Sequence, residues 1–357
     1  TKSAIKKAVS NPKKVDMDLV NAQQTRQIVD MALGFKISPL LWSAISRKSK
    51  TGLSAGRCQT PALKLVFENN KLVANNPGSL SYSTTGYFTS KNIPFELSKH
   101  HIEKESMESF LEESVNHQHI LNCSEPSDIT RNPPVPLITS SLQQQSSNIL
   151  GYSPKETMAL CQKLYENGLI TYMRTDSPVL SKDFITTALE FISNRYGENY
   201  PNKTLLESDE TTEKNNKENN SNDPGGAQEA HEAIRPTDVT ILSVPETLGN
   251  KEKRMYSFIR NHTLKCCMVA AKMRKLVASI VGPEKANYKY TSQAVTFAGF
   301  LIVEGVEDDP YYSYFSSCKK NMYLDYNKIT SKCTLKNTKS RVNEAKLVQL
   351  LEERGIG

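Results

Sequence analysis

The sequence predicts a multidomain α+β protein. With 357 residues the chain is too long for one ordinary hydrophobic core, so two to four domains are expected. Its hydrophobic fraction of 38% and charged fraction of 23% are those of a globular protein. Helical, strand-rich, helical, strand-rich and helical blocks alternate along it without an internal repeat, which indicates domains interrupted by insertions.

The first block, residues 1–35, is predicted to be helical. A lysine-rich helix breaks at Asn11-Pro12, and a second helix runs from about Asp18 to Gly34. Polar residues share one face of this second helix: Gln23, Arg26, Gln27 and Asp30. A further apolar helix, which carries the only tryptophan, is predicted to begin at Ser38-Pro39.

Small residues at 52–61, Gly-Leu-Ser-Ala-Gly-Arg-Cys-Gln-Thr-Pro, predict a turn that presents Ser54, Arg57 and Gln59. Glycine lets a backbone approach a phosphate closely, but the same composition is typical of a helix start. A phosphate-binding turn and a purely structural turn both remain open.

In the strand-rich blocks, apolar and polar residues alternate with a period of two. The segments predicted to be strands are 81–88, 93–97, 272–306 and 320–336. Helices are predicted near 104–114 and at 343–353. Because Pro94 cannot donate a hydrogen bond to a ladder, its strand is predicted to lie at a sheet edge.

A helical block surrounds the stretch Gly-Leu-Ile-Thr-Tyr-Met-Arg-Thr-Asp-Ser at 168–177. Before it, Ser153 and Pro154 predict a helix start, and Asn167-Gly168 predicts the end of that helix. After it, a second helix from about Ser181 turns five apolar residues inward: Phe184, Ile185, Ala188, Leu189 and Ile192. Tyr172 thus lies on a short connector between two rigid elements, which is a good place for a nucleophile.

Tyr172 and Arg174 are the leading candidates for chemistry. In an extended segment, side chains at i and i+2 point to the same face, so these two project together while Met173 packs the other way. A tyrosine hydroxyl beside a fixed cation suits attack on a phosphodiester, with the cation holding the non-bridging oxygens. Most of the 15 tyrosines must simply pack, however, so the pattern alone leaves a structural role open.

Composition excludes several classes of protein. Seven cysteines without a Cys-x-x-Cys pair argue against a disulfide scaffold and a zinc ribbon, and six scattered histidines show no metal-ligand spacing. The longest apolar run, at 266–271, is too short to cross a bilayer, and no signal-like N-terminus is visible. The net charge of +7 permits a polyanionic partner without requiring one. A cytoplasmic protein without a membrane partner is expected.

Five blocks in the same order resemble the motifs of the type IA DNA topoisomerases, and in particular those of bacterial topoisomerase I. These blocks are 21–42, 52–62, 138–144, 168–177 and 229–237. They include Asn-Ala-Gln-Gln-Thr-Arg at 21–26 and Glu-Ala-His-Glu-Ala-Ile-Arg-Pro-Thr at 229–237. The resemblance spans nearly the whole chain, and 344–357 resembles the run into a further family motif.

The resemblance implies an enzyme that relaxes negatively supercoiled DNA without ATP. Such enzymes cleave one strand by tyrosine attack, keep the 5′-phosphate as a phosphotyrosine, pass another strand through the gap and reseal. The implied catalytic residues are Tyr172 as nucleophile, Arg174 as phosphate clamp and His231 as a hydrogen-bonding group near the scissile phosphate. The implied DNA-binding residues are Gln23, Arg26, Asp30, Ser54, Arg57, Gln59 and Thr175. The expected partner is single-stranded DNA within a supercoiled duplex, bound by a monomer associated with the nucleoid.

By resemblance the α+β fold is a toroid with a gate-and-hinge architecture. It is divided into a helical groove domain (1–75 and 339–357), a β-rich hinge (76–131 and 272–338) and a mainly helical tyrosine domain (132–271). Residues 206–222, polar and nearly free of apolar side chains, are predicted to form a disordered loop.

Two departures from the family are expected to matter. The family's N-terminal Toprim domain, which binds Mg²⁺, is missing, so the chain is expected to be a fragment that holds no metal and is inactive alone. Asp16 and Asp18 have the D-x-D form but lead a helix, so they are interpreted as a helix cap. Gln27 and Met31 stand where bacterial enzymes often carry arginines, which puts the usual cytosine preference upstream of the cut in doubt.

Two other functions remain open on the sequence. A tyrosine recombinase would need a second arginine and histidines around a nucleophile near the C-terminus, and would leave a 3′-phosphotyrosine. A non-catalytic single-strand binder would be favoured by aromatic residues along a strand-rich groove, but the aromatic residues are scattered.

Overall fold

The computed structural model describes residues 2–12, 14–45, 52–207, 232–318 and 321–356. The chain divides into two compact units, which are Thr1–Lys71 with Leu351–Gly357, and Leu72–Leu350. The first unit contains α1 (Lys2–Ser10), α2 (Met17–Ala44) and most of α3 (Gln59–Asn75). Within the described ranges, no helix is both long and apolar enough to cross a membrane.

Helix α2 is longer than predicted, because it continues through Gly34 and Pro39 to Ala44. Gly34 lacks the positive φ of a helix-ending glycine. Pro39 lies inside the helix, where its ring suits a helical φ although its missing N–H leaves one ladder bond unmade, and the helix ends at a 2.9 Å bond from the N–H of Ile45 to the carbonyl of Leu41. The two predicted helices are therefore one.

The second unit contains an antiparallel sheet of eight described strands. They are β1 (Ser79–Tyr87), β2 (Pro94–Leu97), β3 (His119–Cys123), β4 (Ser127–Arg131), β5 (Ala271–Val281), β6 (Asn287–Phe297), β7 (Met322–Leu324) and β8 (Lys328–Lys336). Seven follow the order β7-β3-β5-β6-β2-β1-β8, and β4 pairs with β5. The strands therefore come from two distant stretches of the chain, as the alternation of helical and strand-rich blocks predicted.

Strand β2 does not lie at a sheet edge, so that prediction was wrong. It lies between β1 and β6, with Pro94 as its first residue opposite Tyr87. Strand β6 pairs only with Glu96 and Leu97, so the missing N–H of Pro94 interrupts no ladder on that side.

Helix α4 (Lys104–Asn116) contributes Phe110 to the hydrophobic core of the sheet. The largest residues of this core are aromatic and nearly inaccessible: Phe88, Phe95, Phe110, Tyr288 and Phe315. Phe315 comes from the short helix α9 (Tyr312–Ser316). The last helix, α10 (Glu344–Glu353), coincides with the predicted one.

A helical region is inserted between β4 and β5. It contains α5 (Thr139–Leu150), α6 (Pro154–Glu166), α7 (Lys182–Tyr196) and α8 (Asn250–Cys266). Ser153 caps α6 as predicted, since its hydroxyl accepts a 3.2 Å bond from the N–H of Glu156. The five apolar residues of α7 predicted to face inward are all buried. The predicted loop at 206–222 falls, from residue 208 onward, outside the described residues.

Candidate active site and nucleic-acid interface

Residues 168–177, here called the tyrosine connector, lead from α6 toward α7. Gly168 has a φ of 70°, which ends α6 and turns the chain. Beyond it exposed and buried side chains alternate. Tyr172, Arg174 and Asp176 are exposed, and Met173, Thr175 and Ser177 are buried. The period of two predicted from the sequence is therefore present, and it places Tyr172 and Arg174 on the same solvent-facing side.

The N-terminus of α5 holds the second half of the connector. The hydroxyl of Thr139 lies 2.9 and 3.0 Å from the carbonyls of Met173 and Thr175, and accepts a 2.8 Å bond from the N–H of Thr175. The backbone N–H of Thr139 also donates to the carbonyl of Thr175 at 2.9 Å. The backbone is thus fixed on both sides of Arg174.

The segment 232–237 holds the first half. The N–H of Thr171 donates to the carbonyl of Arg235 at 2.9 Å. The hydroxyl of Thr171 donates to the carbonyl of Ala233 at 2.7 Å and accepts from the N–H of Arg235 at 3.0 Å. Tyr172 follows directly, so residues more than 60 positions away in the sequence determine where its backbone lies.

A buried ion pair anchors the segment 232–237. The guanidinium of Arg235 donates from Nε and Nη2 to the two carboxylate oxygens of Glu232, at 2.7 and 2.8 Å. Glu232 also accepts from the N–H of Ser181, the N-cap of α7, at 2.8 Å. The guanidinium lies 4.1 Å from the ring centroid of Phe184, so α7 and the segment are tied together twice.

Glu232 stays ionised in this network. Burial raises the pKa of its carboxyl, but hydrogen bonds from Arg235 and Ser181 together lower it by more. The resulting pKa lies below the ordinary value of 4.5. The pair therefore remains a charged pair at neutral pH.

The Tyr172 ring is 45% exposed and packs edge to face against Tyr165, with ring centroids 5.2 Å apart. Within the described residues, no hydrogen bond or ion pair engages the Tyr172 hydroxyl or the Arg174 guanidinium. Both groups are open to a ligand. His231, the third predicted catalytic residue, lies outside the described residues, directly before Glu232.

Thr175, predicted to contact DNA, is only 6% exposed. Its hydroxyl accepts from the N–H of Ser177 at 3.1 Å, and its backbone bonds to Thr139 on both sides. In this arrangement Thr175 supports the connector, and its contact with DNA stays a prediction.

In the first unit, residues 52–58 pack against α2, and α3 begins at Gln59, so the predicted turn is shorter than 52–61 and leads directly into a helix. The Nε of Arg57 donates to a carboxylate oxygen of Asp30 at 3.0 Å, and this bond raises the pKa of Arg57. The side-chain amide of Gln59 lies 3.3 Å from the hydroxyl of Ser54. The structure thus brings together four of the predicted strand-binding residues. Gln23 and Arg26 are exposed earlier on α2.

Beside the Arg57–Asp30 pair lies a cavity of about 320 Å³. Its walls include Met31, Phe35 and Trp42 from α2, with Asp30 at the rim. The indole N–H of Trp42 donates to the carbonyl of Leu53 at 2.6 Å, which holds the turn onto the helix. The cavity lining therefore combines apolar and aromatic side chains with the carboxylate of Asp30.

The similarity of this chain to known proteins agrees with that geometry. A family model described as DNA topoisomerase matches residues 14–357. The chain belongs to the DNA topoisomerase family. DNA topoisomerase 1 of Campylobacter jejuni and that of Haemophilus influenzae are each 35% identical over the whole chain. The chain covers 51% and 40% of their lengths, so it spans about half of these relatives or less.

The fold match supports the same family. Full-length topoisomerase I from Thermotoga maritima aligns over all of this chain with a TM-score of 0.78 and 27% identity, and the chain covers 57% of it. The predicted fold class, an α+β type IA topoisomerase fold, is thereby confirmed. The five-segment domain division stays a prediction.

The acidic residue at the start of α2 serves as a helix cap. The Asp16 carboxylate accepts from the N–H groups of Asp18 and Leu19, at 3.0 and 3.2 Å, so it caps α2 as predicted. Within the described ranges, no three His, Cys, Asp or Glu side chains form a group that could hold a metal ion. The residues described here do not fit Mg²⁺.

Two supporting residues were not identified from the sequence. Thr139 and Arg235 both lie within blocks that resemble the family, yet neither was given a role. Arg235 forms its ion pair with Glu232, three residues earlier, in a segment that is not helical, so the helical i,i+3 rule does not predict the pair. Thr139 carries no local signal either, because its partners lie 34 and 36 residues away.

Proposed function

We propose that this chain supplies the nucleophile and the strand-binding surface of a type IA DNA topoisomerase. The observation that carries the proposal is the exposed pair of Tyr172 and Arg174 on a connector anchored at both ends. The substrate is single-stranded DNA within a negatively supercoiled duplex, and the protein acts as a monomer.

In the proposed reaction, the Tyr172 hydroxyl gives its proton to water, and its oxygen attacks the scissile phosphorus. A bond forms between that oxygen and the 5′-phosphate, and the bond to the 3′-oxygen breaks as the 3′-oxygen takes up a proton. Arg174 contacts the non-bridging oxygens, where negative charge builds up in the transition state. Because the phosphotyrosine retains the energy of the phosphodiester bond, resealing requires no ATP.

The polar surface of the first unit is proposed to bind the strand upstream of the cut. Arg57 and Arg26 would contact phosphates, and the turn at 52–61 would let the backbone approach closely. The cavity lined by Met31, Phe35 and Trp42 offers aromatic walls against which an unpaired base could stack.

Mg²⁺ and the group that protonates the leaving 3′-oxygen are proposed to come from residues outside this chain. The 357 residues alone should therefore neither cleave nor relax DNA when magnesium is added. Supplying a Toprim domain, in cis or as a separate chain, should restore activity together with magnesium dependence. Relaxation by the chain alone would show that the metal is bound within it, and Asp16 and Asp18 would be re-examined first.

Tyr172→Phe tests the nucleophile directly. The assay uses a chimera in which the 357 residues of this chain replace the matched region of DNA topoisomerase 1 of Campylobacter jejuni. Adduct captured on a denaturing gel should disappear in the variant, while affinity for a single-stranded oligonucleotide stays near normal, because only the hydroxyl reacts.

Oligonucleotides labelled at either end decide between the enzyme classes. Adduct on the fragment that carries the 5′-phosphate supports the proposal, whereas a 3′-linked adduct would indicate recombinase-type chemistry. Persistent adduct in Tyr172→Phe would refute the nucleophile. Binding without any adduct in the unmodified chimera would favour a non-catalytic single-strand binder.

A further inference from the structure

Tyr165 lies on the last turn of α6 and is the aromatic neighbour of Tyr172. The two ring planes are inclined at 63° with centroids 5.2 Å apart, which is the edge-to-face geometry that aromatic pairs prefer. Tyr165 is 41% exposed and Tyr172 is 45% exposed. The contact is therefore at the surface, beside the hydroxyl that is proposed to react.

The hydrogen bonds of the connector fix its backbone but not the ring of Tyr172. A tyrosine side chain still turns about two torsions, and rotation about the first swings the hydroxyl through a wide arc. A misplacement of about 1 Å at a reacting centre can cost roughly 100-fold in rate. Fixing the backbone is thus not sufficient, and a contact to the ring itself is needed.

Tyr165 is well placed to provide that contact. It precedes the helix end, and its carbonyl accepts from the N–H of Gly168 at 2.8 Å. Its neighbour Leu164 is fully buried in the core that α6 shares with α5 and α8. Tyr165 is thus carried by a rigid element, while Tyr172 sits on a loop.

We propose that Tyr165 is a positioning residue that holds the Tyr172 ring in the orientation required for attack on the phosphodiester. This inference rests on the proposed function of Tyr172. Since the contact is made by ring carbons, phenylalanine at position 165 should preserve it, whereas alanine should abolish it.

Fluorine NMR of the 357-residue chain labelled with 3-fluorotyrosine measures the contact without any need for activity. The resonances of the two tyrosines are assigned from Tyr172→Phe and Tyr165→Phe. In Tyr165→Ala, the Tyr172 resonance should shift and narrow as the ring loses its neighbour and moves more freely. It should stay near its original position in Tyr165→Phe and in the control Tyr323→Ala, which removes a 66% exposed tyrosine on β7. An unmoved Tyr172 resonance in Tyr165→Ala would overturn the proposal.

Kinetics in the chimera tests the consequence for chemistry. Tyr165→Ala should slow single-turnover adduct formation roughly 2- to 10-fold, the scale of one aromatic pair, while the Kd for a single-stranded oligonucleotide stays constant. Tyr165→Phe should restore the rate. Weaker binding at an unchanged rate would mean that Tyr165 stacks on the DNA instead of positioning Tyr172.

The two variants distinguish failure of the proposed function from failure of this inference. If Tyr172→Phe still forms the adduct, both the proposed nucleophile and the role of Tyr165 are refuted. If Tyr172→Phe forms no adduct but Tyr165→Ala reacts at the normal rate, only the role of Tyr165 is refuted.

Discussion

The tyrosine connector and helix α2 present polar groups in opposite ways. In the connector, every second side chain from Met173 to Ser177 is buried, and neighbouring segments hold its backbone at both ends. Along the 28 described residues of α2, only Ser38 is buried, and Phe35 is 76% exposed. Side chains that must meet a reacting atom need the first kind of support, whereas groups that follow a flexible strand can tolerate the second.

The two arginine–carboxylate pairs show the same contrast in energetic terms. Arg235 and Glu232 form a two-point, largely buried pair, with side chains 7% and 28% exposed. Arg57 and Asp30 form a single bond between side chains that are 32% and 44% exposed. Solvent screening makes the second pair much weaker, so equivalent substitutions in the two regions should have unequal effects.

The largest effect is expected from Arg235→Ala. Removing one partner of a buried pair leaves the other charge without compensation, which typically costs about 3–5 kcal/mol of unfolding free energy. Urea unfolding of the 357-residue chain measures it, with Arg57→Ala as the matched control in the exposed pair. If the two variants lose similar stability, the contrast between the regions is wrong.

The dependence of the unfolding free energy on acidic pH also tests the Arg235–Glu232 pair. Because the pKa of folded Glu232 lies below its ordinary value of 4.5, its contribution to stability is present above about pH 4.5 and is lost as the pH falls through the lowered value. Glu232→Gln should reduce the acid dependence of the unfolding free energy in that range. An unchanged pH profile would contradict the role assigned to the pair.

Arg174→Ala should slow DNA cleavage in the chimera by about two orders of magnitude, the scale of losing one positioned charge in the transition state. Stability should hardly change, because the side chain is exposed. Arg174→Lys should recover little of the rate, since an ammonium lacks the two-point geometry of a guanidinium. Full activity of the lysine variant would argue against two-point contact with the phosphate.

Thr139→Val should cost about 1 kcal/mol of unfolding free energy or more, because the N–H of Thr175 loses its partly buried acceptor. The Tyr172 fluorine resonance should broaden or split, because the loosened backbone exchanges slowly between conformations, in contrast to the fast ring motion expected of Tyr165→Ala. Thr186→Val is the control, since its hydroxyl is exposed and bonds to the carbonyl of Lys182 one turn earlier in α7. Equal losses in both variants would mean that Thr139 has no special part in holding the connector.

The smallest effect on stability is expected from Arg57→Ala, which should lose less than about 1 kcal/mol. Its effect should instead appear in DNA binding. For single strands, the logarithm of affinity falls with the logarithm of salt by about 0.7 per neutralised phosphate, so the slope should decrease by about that amount. An unchanged slope would indicate that the turn at 52–61 is structural only.

The sequence was sufficient where local rules act alone. Alternation placed Tyr172 and Arg174 on one side, the Ser153-Pro154 pair marked the start of α6, and Asp16 was correctly interpreted as a cap. Each of these features is decided within a few residues. Local signals failed at Gly34 and Pro94. A glycine ends a helix only where the chain actually turns, and a strand-initial proline leaves the neighbouring ladder intact.

What the sequence could not provide were contacts between distant segments. The bonds of Thr139 to the connector and of Arg235 to Thr171 depend on how three segments pack, and no periodicity encodes them. The edge-to-face contact of Tyr165 is closer in sequence, but its geometry depends on how the chain turns at Gly168.

The long sequence separation of these bonds also has a consequence during synthesis. Thr171 emerges 64 residues before Arg235, which at typical translation rates is roughly 3–13 s earlier. Until Arg235 emerges, the first half of the connector lacks the backbone partners that fix Tyr172. A nascent or prematurely terminated chain therefore carries a tyrosine that is exposed but not aligned. Such a chain lacks the alignment that the proposed attack by Tyr172 on a phosphodiester requires.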